Sequence, residues 1–192
     1  MLSKVMSVGV AGIEAYLIEV ECNVVRGIVH LAIVGLPDAA VKESLDRVGA
    51  AIGNCMYRWP KSRRITINLA PADTRKEGPA YDLPIALGLL AGSEQIDAVR
   101  LGEFAVVGEL ALDGSVRPVR GILPMALAVR DAGVAGFIVP EANAPEAAVV
   151  SGLDVYPVRT LDQAAGIVTD LGLAVAQTVD TDALFAHRAH DE

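Results

Sequence analysis

Apolar and polar residues alternate through the opening stretch of the chain. Lys4 to Val10, Ile13 to Val24 and Ile28 to Val34 carry the period-two pattern of half-buried strands, with turns at Gly12 and Gly27. Together they predict an antiparallel meander. Gly35-Leu36-Pro37-Asp38 breaks the alternation, and a helix is predicted from about Ala39 to Gly53, with Val41, Leu45, Val48 and Ile52 on one face. Glu43 and Arg47 stand four apart on it, in the order that favours an ion pair. The period returns to two at Ile65, Ile67 and Leu69, predicting a strand from Arg64. A polar loop follows, and Asp82 to Leu90 reads as a helix with Asp82 as N-cap and Pro84 tolerated in its first turn.

In the second half, Phe104 to Leu110 reads as one strand, Asp113-Gly114 as a hairpin turn, and Ser115 to Pro118 as the returning side. Ile122 to Ala132 predicts a helix ended by Gly133, and Phe137 to Val139 a short apolar strand. Asn143, Pro145 and Glu146 open another short helix. A last strand is expected at Val155 to Val158, then a helix from Thr160 to Leu171 whose Thr160-Leu161-Asp162-Gln163 start is a capping box. From Gln177 the pattern fades into an acidic tail. Strands first, then strands alternating with helices, predict an α/β (α+β) layered domain: a mixed sheet with helices mainly on one face. The domain is placed at residues 1–172 and a linker or frayed tail at 173–192.

Composition narrows the class. Of 192 residues 53% are hydrophobic but only 4% aromatic, so Ala, Val, Leu and Ile must build the core. Mean hydropathy is +0.43, yet no uncharged stretch reaches the roughly 18 residues of a membrane span. A cytoplasmic, soluble domain without a membrane partner is expected. Cys22 and Cys55 form no motif and read as buried free thiols. The net charge of −8 argues against nucleic acid as a bulk partner. The basic residues, however, are unevenly spread. Arg58, Lys61, Arg63, Arg64, Arg75 and Lys76 fall in one short stretch whose only acid is Asp73.

Several chemistries find no residues to carry them. There is no phosphate loop of the G-x-x-x-x-G-K-[ST] kind and no G-x-G-x-x-G after a strand. His30, His187 and His190 have no cysteine or carboxylate at ligand spacing, so no metal site is expected. No G-x-S-x-G or Cys/His pair points to a triad.

Two long motifs do carry a resemblance. The run Lys76-Glu77-Gly78-Pro79-Ala80 after a strand resembles the active-site loop of Lon-type proteases. Gly108-Glu109-Leu110 through Pro118-Val119 and Phe137-Ile138-Val139-Pro140-Glu141-Ala142-Asn143 are similar to the two Lon landmarks that follow. Carried across, the nucleophilic serine falls on Ala80 and the catalytic lysine on Leu123. The resemblance therefore implies a scaffold without its Ser-Lys dyad, since neither side chain attacks or takes a proton. A closer likeness lies in INLAPAD-x-x-KEG-x-x-x-DLPIAL and in VGLPDAAVKES at Val34 to Ser44. On these motifs the chain is identified as a member of the ComM/YifB family, the magnesium chelatase-like AAA+ ATPases linked to natural transformation.

The resemblance implies a Lon-like N-terminal domain, followed in the family by an AAA+ motor that drives branch migration of recombining DNA as a hexameric ring. The recombination protein RadA carries a comparable inactive domain as a ring-forming and DNA-contacting platform. No cofactor is expected for this chain; ATP and Mg belong to the AAA+ domain it lacks. Its partners would be copies of itself and DNA.

Two surfaces remain open in the sequence. Arg58, Trp59, Lys61, Arg63, Arg64, Arg75 and Lys76 are candidate DNA contacts, the cations neutralising phosphates while Trp59 stacks on an unpaired base. The same band also reads as a solvated strand edge and loop or a subunit contact, and Trp59 as a core anchor. Lys42, Glu43, Glu77 and Asp82 are candidate interface residues, with Lys76, Glu77 and Asp82 alternatively bridging and capping their loop. Three readings follow: a non-catalytic assembly and DNA-contacting module, a protein-interaction module of a chelatase-like ATPase without DNA, and a hydrolase with an unexpected nucleophile.

Overall fold

The structure, a computed structural model, describes residues 1–97, 99–173 and 175–177. The chain opens with a long antiparallel hairpin of β1 (Leu2–Ala11) and β2 (Glu14–Arg26), paired from Leu2 opposite Asn23 to Ala11 opposite Glu14. β3 (His30–Val34) does not continue this as a meander. It leads into α1 (Ala39–Asn54), and β4 (Arg63–Ala70) then inserts between it and the hairpin. β4 is antiparallel to β2 and parallel to β3. The correction has a topological cause: parallel neighbours need a crossover, and α1 supplies it.

The loop after β4 enters α2 (Asp82–Gly92). β5 (Phe104–Val106) joins the far side of β1 in parallel. The strand expected from Phe104 to Leu110 is broken. Gly108 instead donates its N–H to the Ala80 carbonyl and accepts from the N–H of Leu83, so the chain leaves the sheet to pack on the start of α2. β6 (Glu109–Leu110) and β7 (Val116–Arg117) form a separate two-stranded ribbon around the Asp113-Gly114 turn. Then come α3 (Ile122–Asp131), β8 (Gly136–Pro140), α4 (Ala144–Ala147), β9 (Asp154–Val158) and α5 (Leu161–Thr169). The mixed seven-stranded sheet runs β3-β4-β2-β1-β5-β8-β9.

One face of the sheet carries Val5, Ile18, Val20, Ile65, Ile67 and Leu69 against α1, α2 and α5. α2 is the centre of this layer, with every residue from Asp82 to Gly92 buried. It lies close because Gly88 has no side chain: a Cβ there would stand 2.6 Å from Cys22 Sγ. The other face is covered only in part. α3 and α4 pack on Val8, Ala105, Phe137, Val139 and Val155. α3 also reaches Ala15 and Leu17 at the start of β2, but over β4 and the rest of β2 that face stays open, and Lys4 pairs there with Glu19 at 2.8 Å and Glu21 at 3.0 Å.

Two caps follow from sequence. Asp38 accepts from Val41 N–H at 2.8 Å to start α1, and Thr160 accepts from Gln163 N–H at 3.2 Å to start α5. The reciprocal arm of the capping box lands one residue early, on Arg159 N–H. Asn143 caps nothing; its side chain instead brackets the N–H and carbonyl of Val119. Cys22 is buried, whereas Cys55 is only half-buried. No helix among the described residues is long and apolar enough to cross a membrane. No group of three His, Cys, Asp or Glu among them is placed to hold a metal. His187 and His190 lie outside the described residues.

Candidate functional site

The two long sequence motifs meet in space. Lys76 donates its N–H to the Leu36 carbonyl and accepts from Asp38 N–H, pairing the loop after β4 with the turn before α1. Asp38 completes the joint: one carboxylate oxygen caps α1 and the other accepts from Gly78 N–H at 3.1 Å. The turn needs its glycine. Gly35 sits at φ 99°, and a Cβ there would stand 2.1 Å from the Leu69 carbonyl oxygen.

Inside this joint Lys76 is fully buried, its Nζ donating to the Pro71 carbonyl. Burial lowers its pKa. Lys76 is therefore a loop anchor, its side chain turned into the protein. Asp82 is corrected as well. Tyr81 occupies the cap position of α2, while the fully buried Asp82 carboxylate accepts from Arg47 Nε at 2.6 Å, Arg47 Nη2 at 3.0 Å and Leu110 N–H at 3.1 Å. Arg47 leans away from its helical neighbour Glu43, 4.0 Å distant, and ties α1 to α2. Lys42, Glu43 and Glu77 stay exposed, with Glu77 paired to Arg75 at 3.2 Å.

A groove of about 390 Å³ opens beside this joint. Gly78, Pro79, Ala80 and Tyr81 form one wall and Val10, Val119 and Met125 the other, with Glu77, Glu109 and Arg120 also lining it. Ala80 lines this groove. Leu123 does not: it points outward, 37% exposed, while Met125, on the buried face of α3, lines the groove two residues later. The residue of α3 that shares the groove with Ala80 is thus Met125. The lining contains no serine, threonine, cysteine, lysine or histidine. Its one phenol, Tyr81, is pushed up in pKa by burial and then by the Tyr16 hydroxyl beside it.

The second cavity, about 760 Å³, lies between the end of α1, the segment before β4 and the turn after α2. Tyr57, Arg58, Trp59, Pro60, Lys61 and Arg63 line it, closed by Gly53, Ser93 and Gln95. Gln95 fixes the segment with two hydrogen bonds of 2.7 Å, accepting from Arg58 N–H and donating to the Arg58 carbonyl. Trp59 is half-buried, packed over Gly49 of α1 while still lining the cavity. Burial and then Asp162 raise the pKa of the Tyr57 phenol.

The basic band is therefore split. Arg58, Trp59, Lys61 and Arg63 share the cleft. Arg64, one residue on in the strand, points to the open face opposite His30 and Val25. Arg75 and Lys76 belong to the groove loop. Among the described residues, Arg58, Lys61, Arg63 and Arg64 have no carboxylate within ion-pair distance. Arg26 at the end of β2 stands directly opposite Arg63. No local signal marks it, since its neighbour is known only once β4 is paired with β2.

The partly covered mixed sheet and the groove beside a buried helix define an α/β domain with Lon-like relatives. The chain is 27% identical over 110 residues to the archaeal Lon protease of Methanocaldococcus jannaschii, covering 57% of this chain and 17% of that protein. It belongs to the family of subunit ChlI of Mg-chelatase, which matches residues 20–143. It is 43% identical over 160 residues to the competence protein ComM of Haemophilus influenzae, covering 83% of this chain and 31% of that protein. It is 46% identical over 151 residues to the uncharacterized protein YifB of Escherichia coli, covering 79% of this chain and 29% of that protein. The chain spans about a third of the length of the curated relatives it matches.

Proposed function

We propose that this chain is the non-catalytic N-terminal module of a ComM-like AAA+ ATPase, a cytoplasmic branch-migration motor of recombination and natural transformation. In this reading it supports ring assembly with other copies of the chain and touches DNA. ATP and Mg are bound by the AAA+ region of the longer protein. Loss of peptidase chemistry is supported by the groove, where Ala80 and Met125 share a lining that holds no serine, threonine, cysteine, lysine or histidine. The observation that carries the DNA contact is the cleft, which gathers three cations free of carboxylate partners around a half-buried tryptophan. Cations supply salt-dependent affinity and the indole a stacking platform indifferent to base identity.

The test is a salt titration of binding to single-stranded and forked DNA. Log affinity is expected to fall linearly with log salt, and Trp59→Ala to weaken binding at every salt concentration. A flat salt response, or no binding at low salt, overturns the DNA contact. A second reading, a protein-interaction module of a chelatase-like ATPase without DNA, is favoured by the edge strand β3. There Leu31 and Val34 are exposed, flanked by Ile28, Val29 and Leu36. That reading gains if the titration shows no binding.

A further inference from the structure

β2 ends at Arg26 and β4 begins at Arg63, and the antiparallel register sets the two directly opposite each other. Directly opposed side chains on neighbouring strands have Cβ atoms about 4.5–5.5 Å apart, and like charges at that distance repel. Both arginines point to the helix side of the sheet, because Val24 and Ile65, two residues inward on each strand, are buried there at 3% and 2% exposure. Neither has a carboxylate within ion-pair distance among the described residues. The register thus sets two arginines opposite each other where β2 ends and β4 begins, and one of them, Arg63, lines the Trp59 cleft.

We propose that Arg26 and Arg63 form a cross-strand clamp for one phosphodiester of single-stranded DNA, with a neighbouring base laid on Trp59. The inference rests on reading the cleft as a nucleic-acid site and adds to it a residue and a geometry. An arginine presents a planar fork that grips phosphate oxygens in pairs, and two forks from adjacent strands approach one phosphate from two sides. The anion also removes the repulsion between the pair. A single strand is the occupant because Trp59 offers its ring to an unpaired base, which a duplex keeps inside its stack.

Arg64 supplies the control. It follows Arg63 in the chain and carries the same charge, yet points to the opposite face beside Val25 and His30. The experiment uses the 192-residue chain and a labelled oligo-dT of roughly 15 nucleotides, within the span such sites cover. Fluorescence anisotropy is followed across a salt series. Arg26→Ala and Arg63→Ala are each expected to weaken binding about tenfold at low salt, as loss of a charged hydrogen bond does. Each is expected to lower the log–log salt slope by about 0.7. The double variant is expected to lose far less than the product of the two, because both groups hold one phosphate. Arg64→Ala is expected to leave both quantities near their starting values.

Equal losses from Arg26→Ala and Arg64→Ala would mean diffuse attraction and overturn the clamp. Strictly multiplicative losses in the double variant would mean two separate contacts and overturn it too. Binding weakened by Trp59→Ala, Arg58→Ala and Lys61→Ala but indifferent to Arg26→Ala refutes the clamp and leaves the cleft standing. Absence of binding by the unsubstituted chain at low salt refutes the cleft and the clamp together. Equal affinity for a duplex of the same length, unaffected by Trp59→Ala, refutes the single-stranded occupant.

Discussion

Asp82 and Arg47 show how one buried pair holds three elements. The carboxylate is fully buried, receives two bonds from the guanidinium and one from Leu110 N–H, and so links α1, α2 and β6. Removing one partner strands the other's charge away from water. Arg47→Ala or Asp82→Asn is expected to destabilise the domain by about 3–5 kcal/mol, whereas replacing both by apolar residues of similar volume should recover much of the loss. Urea unfolding of the three variants checks this. Cys22 gives a pH prediction at the same scale. Burial pushes its thiol from 9.0 up to about 12. The folded protein keeps the proton while the unfolded chain releases it above 9.0, so stability falls as pH rises through that window, by about 1.4 kcal/mol per pH unit. Unfolding measured from pH 8 to about 11 should lose that increment of slope in Cys22→Ala.

At the level of elements, Gly88 decides how near α2 lies to the hairpin. A methyl group there would meet Cys22 Sγ at 2.6 Å. Gly88→Ala is expected to cost about 1–3 kcal/mol by overpacking, and in a Cys22→Ala background distinctly less, because the sulfur that blocks it is gone. Thermal melts of the four-membered cycle measure the coupling. Most elements were legible in the sequence because their burial is periodic: α1 hides Val41, Val48 and Ile52, and β4 hides Ile65, Ile67 and Leu69. What was not legible depends on neighbours. Alternation marks Ile28 to Val34 as a strand but cannot name its partner, and a polar residue at a helix start looks like a cap whether or not an arginine from another helix claims it. The same limit governs the candidate sites. The basic run reads as one band in sequence, and only the pleat sends Arg63 and Arg64 to opposite faces. Met125 could not be placed in the groove until α3 was seen to turn its buried face there.

For the whole molecule, the two edges of the sheet differ. At one end Gln177 donates its N–H to the Val155 carbonyl and begins to cover β9. At the other, β3 is an outer strand with Leu31 42% and Val34 45% exposed. Natural proteins blunt such edges with lysine, proline or a bulge, and β3 has none of these. Leu31→Lys is therefore expected to reduce any self-association that the unsubstituted chain shows at rising concentration, with little effect on stability. Sedimentation velocity reads the difference, and an unchanged association constant would clear the edge of that role. The buried helix at the centre has a consequence of another kind. α2 has no solvent face and touches the hairpin, α1 and α5 at once. It cannot open as a local unit. Its amides reach water only when the layers part together, so this domain stores its resistance to fluctuation in the one element that has no stable existence outside it.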